Sequence, residues 1–243
     1  MRILICATRM SIGGAETHVL SLARAFRAMG QFVCVVSSGG EYAKALGESG
    51  IRHICLPLDK KDPASVMKCR KAIYRMVREG GFDVVHAHGR IPSFVCDSLR
   101  GKKGFVPVVV TVHGIYDPAP PRRKLSKFGD RTIAVSADIK DDLVNTYRVK
   151  AENICVIPNG VDTAAPAHVG APRLRLLTAS RLDRDTALTA ILLCGLMPRL
   201  RRDFPRLDPS LTIVGGGNML SRVREAAKIA NLQSPGSVTV IGA

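Results

Sequence analysis

Tryptophan is absent from the 243 residues, and the aromatic remainder is 7 Phe and 4 Tyr. Single-strand nucleic-acid binders stack bases on aromatic rings, so no nucleic acid is expected as a partner. None of the seven cysteines (Cys6, Cys34, Cys55, Cys69, Cys96, Cys155 and Cys194) stands in a C-x-x-C pair, and most sit in apolar runs. That excludes a zinc ribbon or a disulfide framework and fits small buried hydrophobes in a reducing compartment. Long apolar runs are also missing. Ala187 to Pro198, 12 residues, is the longest mostly apolar stretch, well short of the roughly 20 that span a bilayer. Ile3 to Ala7 is too short for a signal-peptide core. A cytoplasmic protein is expected, with contact to a membrane surface left open.

Acids are scarce. Asp and Glu number 20 against 36 Lys and Arg, a formal net charge of +16. The excess favours anionic partners such as sugar nucleotides or phospholipid headgroups, without choosing among them.

What is present is an alternation of short apolar runs with helical patterns. Ile3–Ala7, Phe32–Val36, Ile51–Leu56, Asp83–His88, Val108–Val112, Thr132–Val135 and Asn153–Ile157 read as strands, several apolar throughout, as strands buried on both faces require. Between the first two, Val19, Leu22, Ala23 and Phe26 form one helical stripe, and Gly30 ends it. Asp62-Pro63 reads as an N-cap followed by Pro at N1, and Ser136 as a second N-cap. Strand, helix, strand repeated this way predicts a doubly wound parallel α/β sheet.

Val156 to Asp162 divides the chain. Pro158 fixes φ and Asn159-Gly160 tolerates positive φ, so a tight turn is expected there, at the floor of a cleft between two α/β units. Residues 1–162 form the first unit and 163–172, rich in Ala and Pro, a linker. Residues 173–243 supply three strands and two helices, half of a second Rossmann-like sheet.

Ligands of such sheets bind beyond the carboxyl ends of the strands. Gly13-Gly14-Ala15-Glu16 puts a glycine pair at a helix N-terminus, either an anion site or a tight turn that needs glycine. His113-Gly114 follows the fifth strand; the imidazole there can hydrogen-bond a sugar hydroxyl or shuttle a proton. His86 and His88 end the fourth strand on one face, and one of them can be a satisfied core residue. Ser180-Arg181 precedes a helix, where a guanidinium can stabilise a departing phosphate or lie in a surface turn. Asp183-Arg184-Asp185 spells D-x-D but reads better as a solvated cap than as a metal site. Gly215-Gly216-Gly217 lets backbone approach a ligand or makes a loose turn. Arg122, Arg123, Lys124 and Lys127 make a basic loop.

Taken in order, the motifs resemble the retaining GT-B glycosyltransferases of family four. The carriers are Gly13–Glu16, Val84-Val85-His86-Ala87-His88, Val110–Gly114, Ile157–Asp162, Ala179-Ser180-Arg181-Leu182 and Ile213–Gly217. The resemblance implies a nucleotide-sugar donor held mainly by the second domain, through Gly215 and Gly216. It implies a glycan or lipid-linked acceptor on the first domain, on the side of Glu16, His88, Arg122, Arg123 and Lys124. Transfer with retention is expected, and no metal or other cofactor. Gly13, Gly14 and Arg181 are then expected on the donor phosphates and His113 at the reacting sugar. Two departures stand out. The family's Lys five residues after the Arg is Thr186 here, and its paired-Glu motif would fall after Ala243. A truncated enzyme is therefore expected, with self-association or a complementing C-terminal half. The alternative is a non-catalytic acceptor-binding or scaffolding remnant.

Overall fold

The computed structural model describes residues 1–116, 119, 126–161, 173–184 and 186–242. The chain divides into two units, Met1–Asp162 and Thr163–Ala243.

The first unit is built on seven parallel strands. They are β1 (Arg2–Ala7), β2 (Phe32–Ser37), β3 (Arg52–Cys55), β4 (Val84–His88), β5 (Val108–Val112), β6 (Arg131–Ala134) and β7 (Ile154–Val156), in the order β3-β2-β1-β4-β5-β6-β7. The described helices between them are α1 (Gly14–Ala28), α2 (Tyr42–Glu48), α3 (Pro63–Gly80), α4 (Arg90–Asp97) and α5 (Ala137–Asn145). Side chains alternate across a strand, so β1 feeds two cores. Leu4 and Cys6 join the core that includes Ile73, Val77, Val95 and Leu143; Ile3, Ile5 and Ala7 join the one with Val19, Leu20, Ala23 and Leu46. Every residue of β1 after Arg2 is buried, which explains the uninterrupted apolar run.

Local chemistry starts and stops the helices where the sequence signals it. Asp62 accepts a hydrogen bond from the Ser65 amide at 2.8 Å, with Pro63 at the first position, and Gly81 closes α3 in the left-handed region at φ 58°. Ser136 Oγ accepts from the Ile139 amide at the start of α5.

The expected tight turn at Asn159-Gly160 does not form. Neither residue takes a positive φ, and after the Ile157 amide donates to the Ala134 carbonyl the chain runs on, exposed, through Val161. Pro158 constrains only its own φ and the residue before it, so nothing obliges Asn159 and Gly160 to turn. The linker 163–172 lies outside the described residues.

The second unit has β8 (Arg175–Ala179), β9 (Ser210–Val214) and β10 (Val238–Ile241), parallel in the order β10-β9-β8, with α6 (Ala187–Asp203) and α7 (Leu220–Gln233). Its core gathers Leu182, Ala190, Cys194, Met197, Leu211, Ile213, Val223 and Ala227. Arg175, Leu177 and Ala179, on the other side of β8, are exposed. No helix among the described residues is long and apolar enough to cross a membrane. All seven cysteines are free thiols; Cys55 and Cys155 are exposed and the other five buried.

Candidate active site

In the first unit the strand order reverses between β1 and β4, and ligands of open α/β sheets bind at such a switch point. A cavity of about 110 Å³ opens there, lined by Ala7, Thr8, Arg9, Ala15, Glu16, Val19, His88, Gly89, His113 and Tyr116. Three loops build it, after β1, β4 and β5.

The β1 loop is held by the β2 loop. The Met10 amide donates to the Gly39 carbonyl at 2.8 Å, the Tyr42 amide to the Met10 carbonyl at 2.7 Å, and Ser38 Oγ to the Thr8 carbonyl at 2.9 Å. Gly40, at φ 136°, lies so close to Met10 that a Cβ would collide with the Met10 carbonyl. Fixed in this way, the loop delivers Gly13 as the N-cap of α1. Gly13 is extended at φ −179°, a conformation open to any residue, and a Cβ on Gly14 would meet nothing within 4 Å. The backbone therefore does not need this glycine pair to turn. Its effect is to leave the helix N-terminus bare, where the first amides lack intrahelical acceptors. The Glu16 carboxylate folds back against Gly13.

Histidines form the inner wall. His88 Nδ1 and His113 Nε2 are 3.0 Å apart in a hydrogen bond. His88 Nε2 and His113 Nδ1 are buried with no hydrogen-bond partner among the described residues. His86 lies behind, its Nε2 bonded to Thr111 Oγ1 at 2.8 Å, the satisfied core histidine of the pair. His18 on α1, not singled out in the sequence, packs its ring edge-on to His113 at 5.0 Å. One signal could have found it. Ala15, His18, Val19 and Leu22 share a helical face, and Val19 is in the buried stripe.

Burial, reinforced by repulsion from His18, pulls His113 down to about 4. Burial, with His18 and His113, does the same to His86, also to about 4. His88 lies well below its usual value for the same reasons, with His86 the largest neighbour. At neutral pH the cluster is uncharged, so His113 acts as a hydrogen-bonding group rather than a cation. Burial pushes the Tyr116 phenol up to about 12.

In the second unit, Arg181 is exposed, its Nε 3.9 Å from Asp183 Oδ2. Thr186 Oγ1 donates to the Arg181 carbonyl and accepts from the Asp183 amide at 3.3 Å, so it closes the turn before α6. The triple glycine meets the chain's own backbone. Gly215 at φ 151° and Gly217 at φ 153° have no room for a Cβ beside Ser180 and Leu182, and the Leu182 amide donates to the Gly216 carbonyl at 2.8 Å. Arg122, Arg123, Lys124 and Asp185 lie outside the described residues; Lys127 is exposed.

Glycosyltransferase structures share this fold. An enzyme from Rickettsia africae aligns with a TM-score of 0.74 at 19% identity, covering 99% of this chain and 68% of that one. HepE of Anabaena, solved with UDP, gives 0.73 at 17%, covering 100% and 69%. The class is thus the GT-B glycosyltransferase fold. The profile of Glycosyltransferase Family 4 matches residues 12–165, and the chain belongs to that family. Phosphatidyl-myo-inositol mannosyltransferase of Mycobacterium tuberculosis is 32% identical over 95% of this chain and 64% of its own length. The protein of that name from Mycolicibacterium smegmatis is 29% identical over 90% and 60%. The chain spans 60–64% of the length of these curated relatives.

Proposed function

We propose that this chain carries the acceptor-side domain and part of the donor domain of a cytoplasmic, retaining glycosyltransferase of cell-envelope or polysaccharide synthesis. It moves a sugar from a nucleoside diphosphate to a glycan or lipid-linked acceptor. The observation that carries the reading is the cavity at the β1/β4 switch point, where Ala15 and Glu16 in the first turn of α1 share a lining with His113, within a chain of this family. Backbone amides of Gly14 and its neighbours, with the α1 dipole, hold donor phosphate. That requires Glu16, whose carboxylate folds against Gly13, to swing away. His113 uses its free Nδ1 on a sugar hydroxyl. Arg181, exposed and only loosely paired, takes the leaving diphosphate, and Gly215 and Gly216 serve the nucleotide. In the reaction the anomeric C–O bond to diphosphate breaks and one to the acceptor hydroxyl forms, whose proton leaves with the diphosphate. Arg181 carries the developing negative charge, so no metal ion is required. The names of the relatives favour a phospholipid acceptor and a hexosyl donor.

Calorimetric titration with a panel of nucleoside diphosphates and their sugars tests this. Micromolar binding is expected, weakened about 10-fold by His113→Ala for sugar nucleotides but not for the free diphosphates. Thr186→Lys adds a phosphate cation and is expected to tighten diphosphates about 5- to 10-fold, roughly 1–1.4 kcal/mol. It also removes the Thr186 hydrogen bonds, at a cost of about 1 kcal/mol in stability. No binding to any member of the panel, by wild type or Thr186→Lys, would sink the donor assignment.

The basic loop of Arg122, Arg123, Lys124 and Lys127 is assigned to anionic membrane or a phosphorylated acceptor. Vesicles of anionic phospholipid should lose the protein on charge reversal of these four residues; unchanged flotation removes the assignment. Among the described residues the edge strand β10 pairs only with β9, so self-association or pairing with a complementing chain is part of the proposal. Light scattering that returns a monomer at high concentration counts against it. A scaffold that binds acceptor without turnover is the second reading, favoured by Thr186 in place of the family's Lys.

A further inference from the structure

His18, His88 and His113 come from three separate elements: the first helix, the end of β4 and the turn after β5. One ring nitrogen from each lies within 4.8 Å of the other two. The His18 ring is 5.7 Å from His88 and 5.0 Å from His113. The two inner rings share one hydrogen bond at 3.0 Å. A neutral pair sharing one proton must leave one outer nitrogen as an N–H and the other as a bare lone pair. Both outer nitrogens are buried and unpartnered among the described residues, and His88 is 3% exposed. Buried polar atoms in that condition need a partner from outside the chain, water or ligand.

We propose that these three histidines form a binding site for a divalent transition-metal ion of the zinc class, and that the bound ion excludes the sugar from the cavity. Three imidazole nitrogens with the fourth position open is a zinc donor set. An all-nitrogen set selects zinc, copper or nickel over magnesium and calcium. Tetrahedral ligation at 2.0–2.1 Å needs nitrogens about 3.3 Å apart. The inner nitrogens, His88 Nδ1 and His113 Nε2, are already near that spacing at 3.0 Å, an ion between them replacing the proton they share, and His18, half-buried on its helix, closes the remainder by turning its side chain. His88 and His113 both line the cavity, so an ion held by them would lie at its wall. The ion would take the inner nitrogens, not the His113 Nδ1 assigned above to the sugar hydroxyl, so it would exclude the sugar by filling the small cavity that both histidines line. The exclusion rests on that assignment; the metal site does not.

The test is titration of the full chain, purified without a histidine tag, with Zn²⁺, Co²⁺ and Mg²⁺. The Cys55→Ser/Cys155→Ser variant serves as background, to remove the exposed thiols. One equivalent of Zn²⁺ is expected, with a dissociation constant in the micromolar range and a Co²⁺ absorption of tetrahedral intensity. His18→Asn, at a half-buried position that folding tolerates, should weaken Zn²⁺ at least 10-fold. His53→Asn, whose imidazole bonds Ser37 away from the cluster, should change nothing, and Mg²⁺ should not compete. Zn²⁺ binding that is millimolar, or that ignores His18→Asn, overturns the site. If Zn²⁺ binds as expected but saturation leaves sugar-nucleotide affinity unchanged, the exclusion is overturned. If no sugar nucleotide binds even without metal, the functional reading fails while the Zn²⁺ stoichiometry still decides the site.

Discussion

Acidification from pH 7 to pH 5 is expected to remove about 2–4 kcal/mol of stability from the first unit. His86 and His113 both sit near 4 in the folded protein, against about 6.5 in an unfolded chain. Between those values the unfolded state binds protons that the folded state refuses, so stability rises with pH. It is complete above about 6.5 and is lost as pH falls toward 4. One group so shifted contributes about 2 kcal/mol by pH 5. His88 adds in the same direction, while His113, partly open to the cavity, adds less than its full share. The Asp62 carboxyl is lowered by the Ser65 amide and that of Asp203 by Arg202, so their losses come at lower pH. Thermal melts at pH 7.5, 6.5, 5.5 and 5.0 measure it. A fall of roughly 5–15 °C is expected, reduced in His88→Gln. A midpoint that does not move between pH 7 and 5 would show that the cluster is not desolvated as described.

Gly215→Ala is expected to cost the second unit about 3 kcal/mol or more, through backbone strain of about 1–3 kcal/mol together with a direct clash. At φ 151° the residue sits where side chains rarely go, and its Cβ would collide with the Ser180 carbonyl. Relief would require breaking the contacts that join the two loops. These are the Ser180 amide to the Val214 carbonyl at 3.1 Å, the Leu182 amide to Gly216 at 2.8 Å and the Met219 amide to Leu182 at 2.8 Å. Gly236→Ala is the control. That residue is also at positive φ, 70°, but a Cβ there meets nothing within 4 Å, so only the conformational cost of about 1 kcal/mol applies. Hydrogen exchange at the Ser180, Leu182 and Met219 amides reads the local effect. Equal losses for the two variants would mean that the loop contact is not tight.

The strands, most helix limits and both side-chain N-caps were legible because each has a local cause. Apolar runs mark strands buried on two faces, Asp62-Pro63 marks a helix start, and Gly30 marks an end. The parallel α/β class followed from alternation alone. The site was only half legible. His113 and His88 end apolar strands, where position in the sheet announces them. His18 lies mid-helix among ordinary residues, and only the packing of α1 over the ends of β4 and β5 brings it to them. Glycine meant three things that sequence does not distinguish: open space at Gly14, contact with the chain's own backbone at Gly215 and Gly217, and an exposed chain without a turn at Gly160. The last misled the reading of Asn159-Gly160 as a turn, because residues able to take positive φ are not obliged to.

The doubled core beneath β1 has a consequence for insertions and deletions. In a strand with one wet face, a one-residue slip is penalised at once, since apolar side chains move into water. Shifting β1 by one residue would only exchange Leu4 and Cys6 with Ile3 and Ile5, and all four are buried. Side-chain polarity therefore cannot fix its alignment; the ends must. Arg2 and Asp83 exchange two bonds at the lower end, at 2.7 and 2.8 Å, and Thr8 and Met10 are fastened to Ser38 and Gly39 at the upper. The alignment that brings the glycine loop to the histidines is thus stored in a few polar contacts outside the strand, and a frame-preserving indel between them would scramble the site while leaving a well-filled interior.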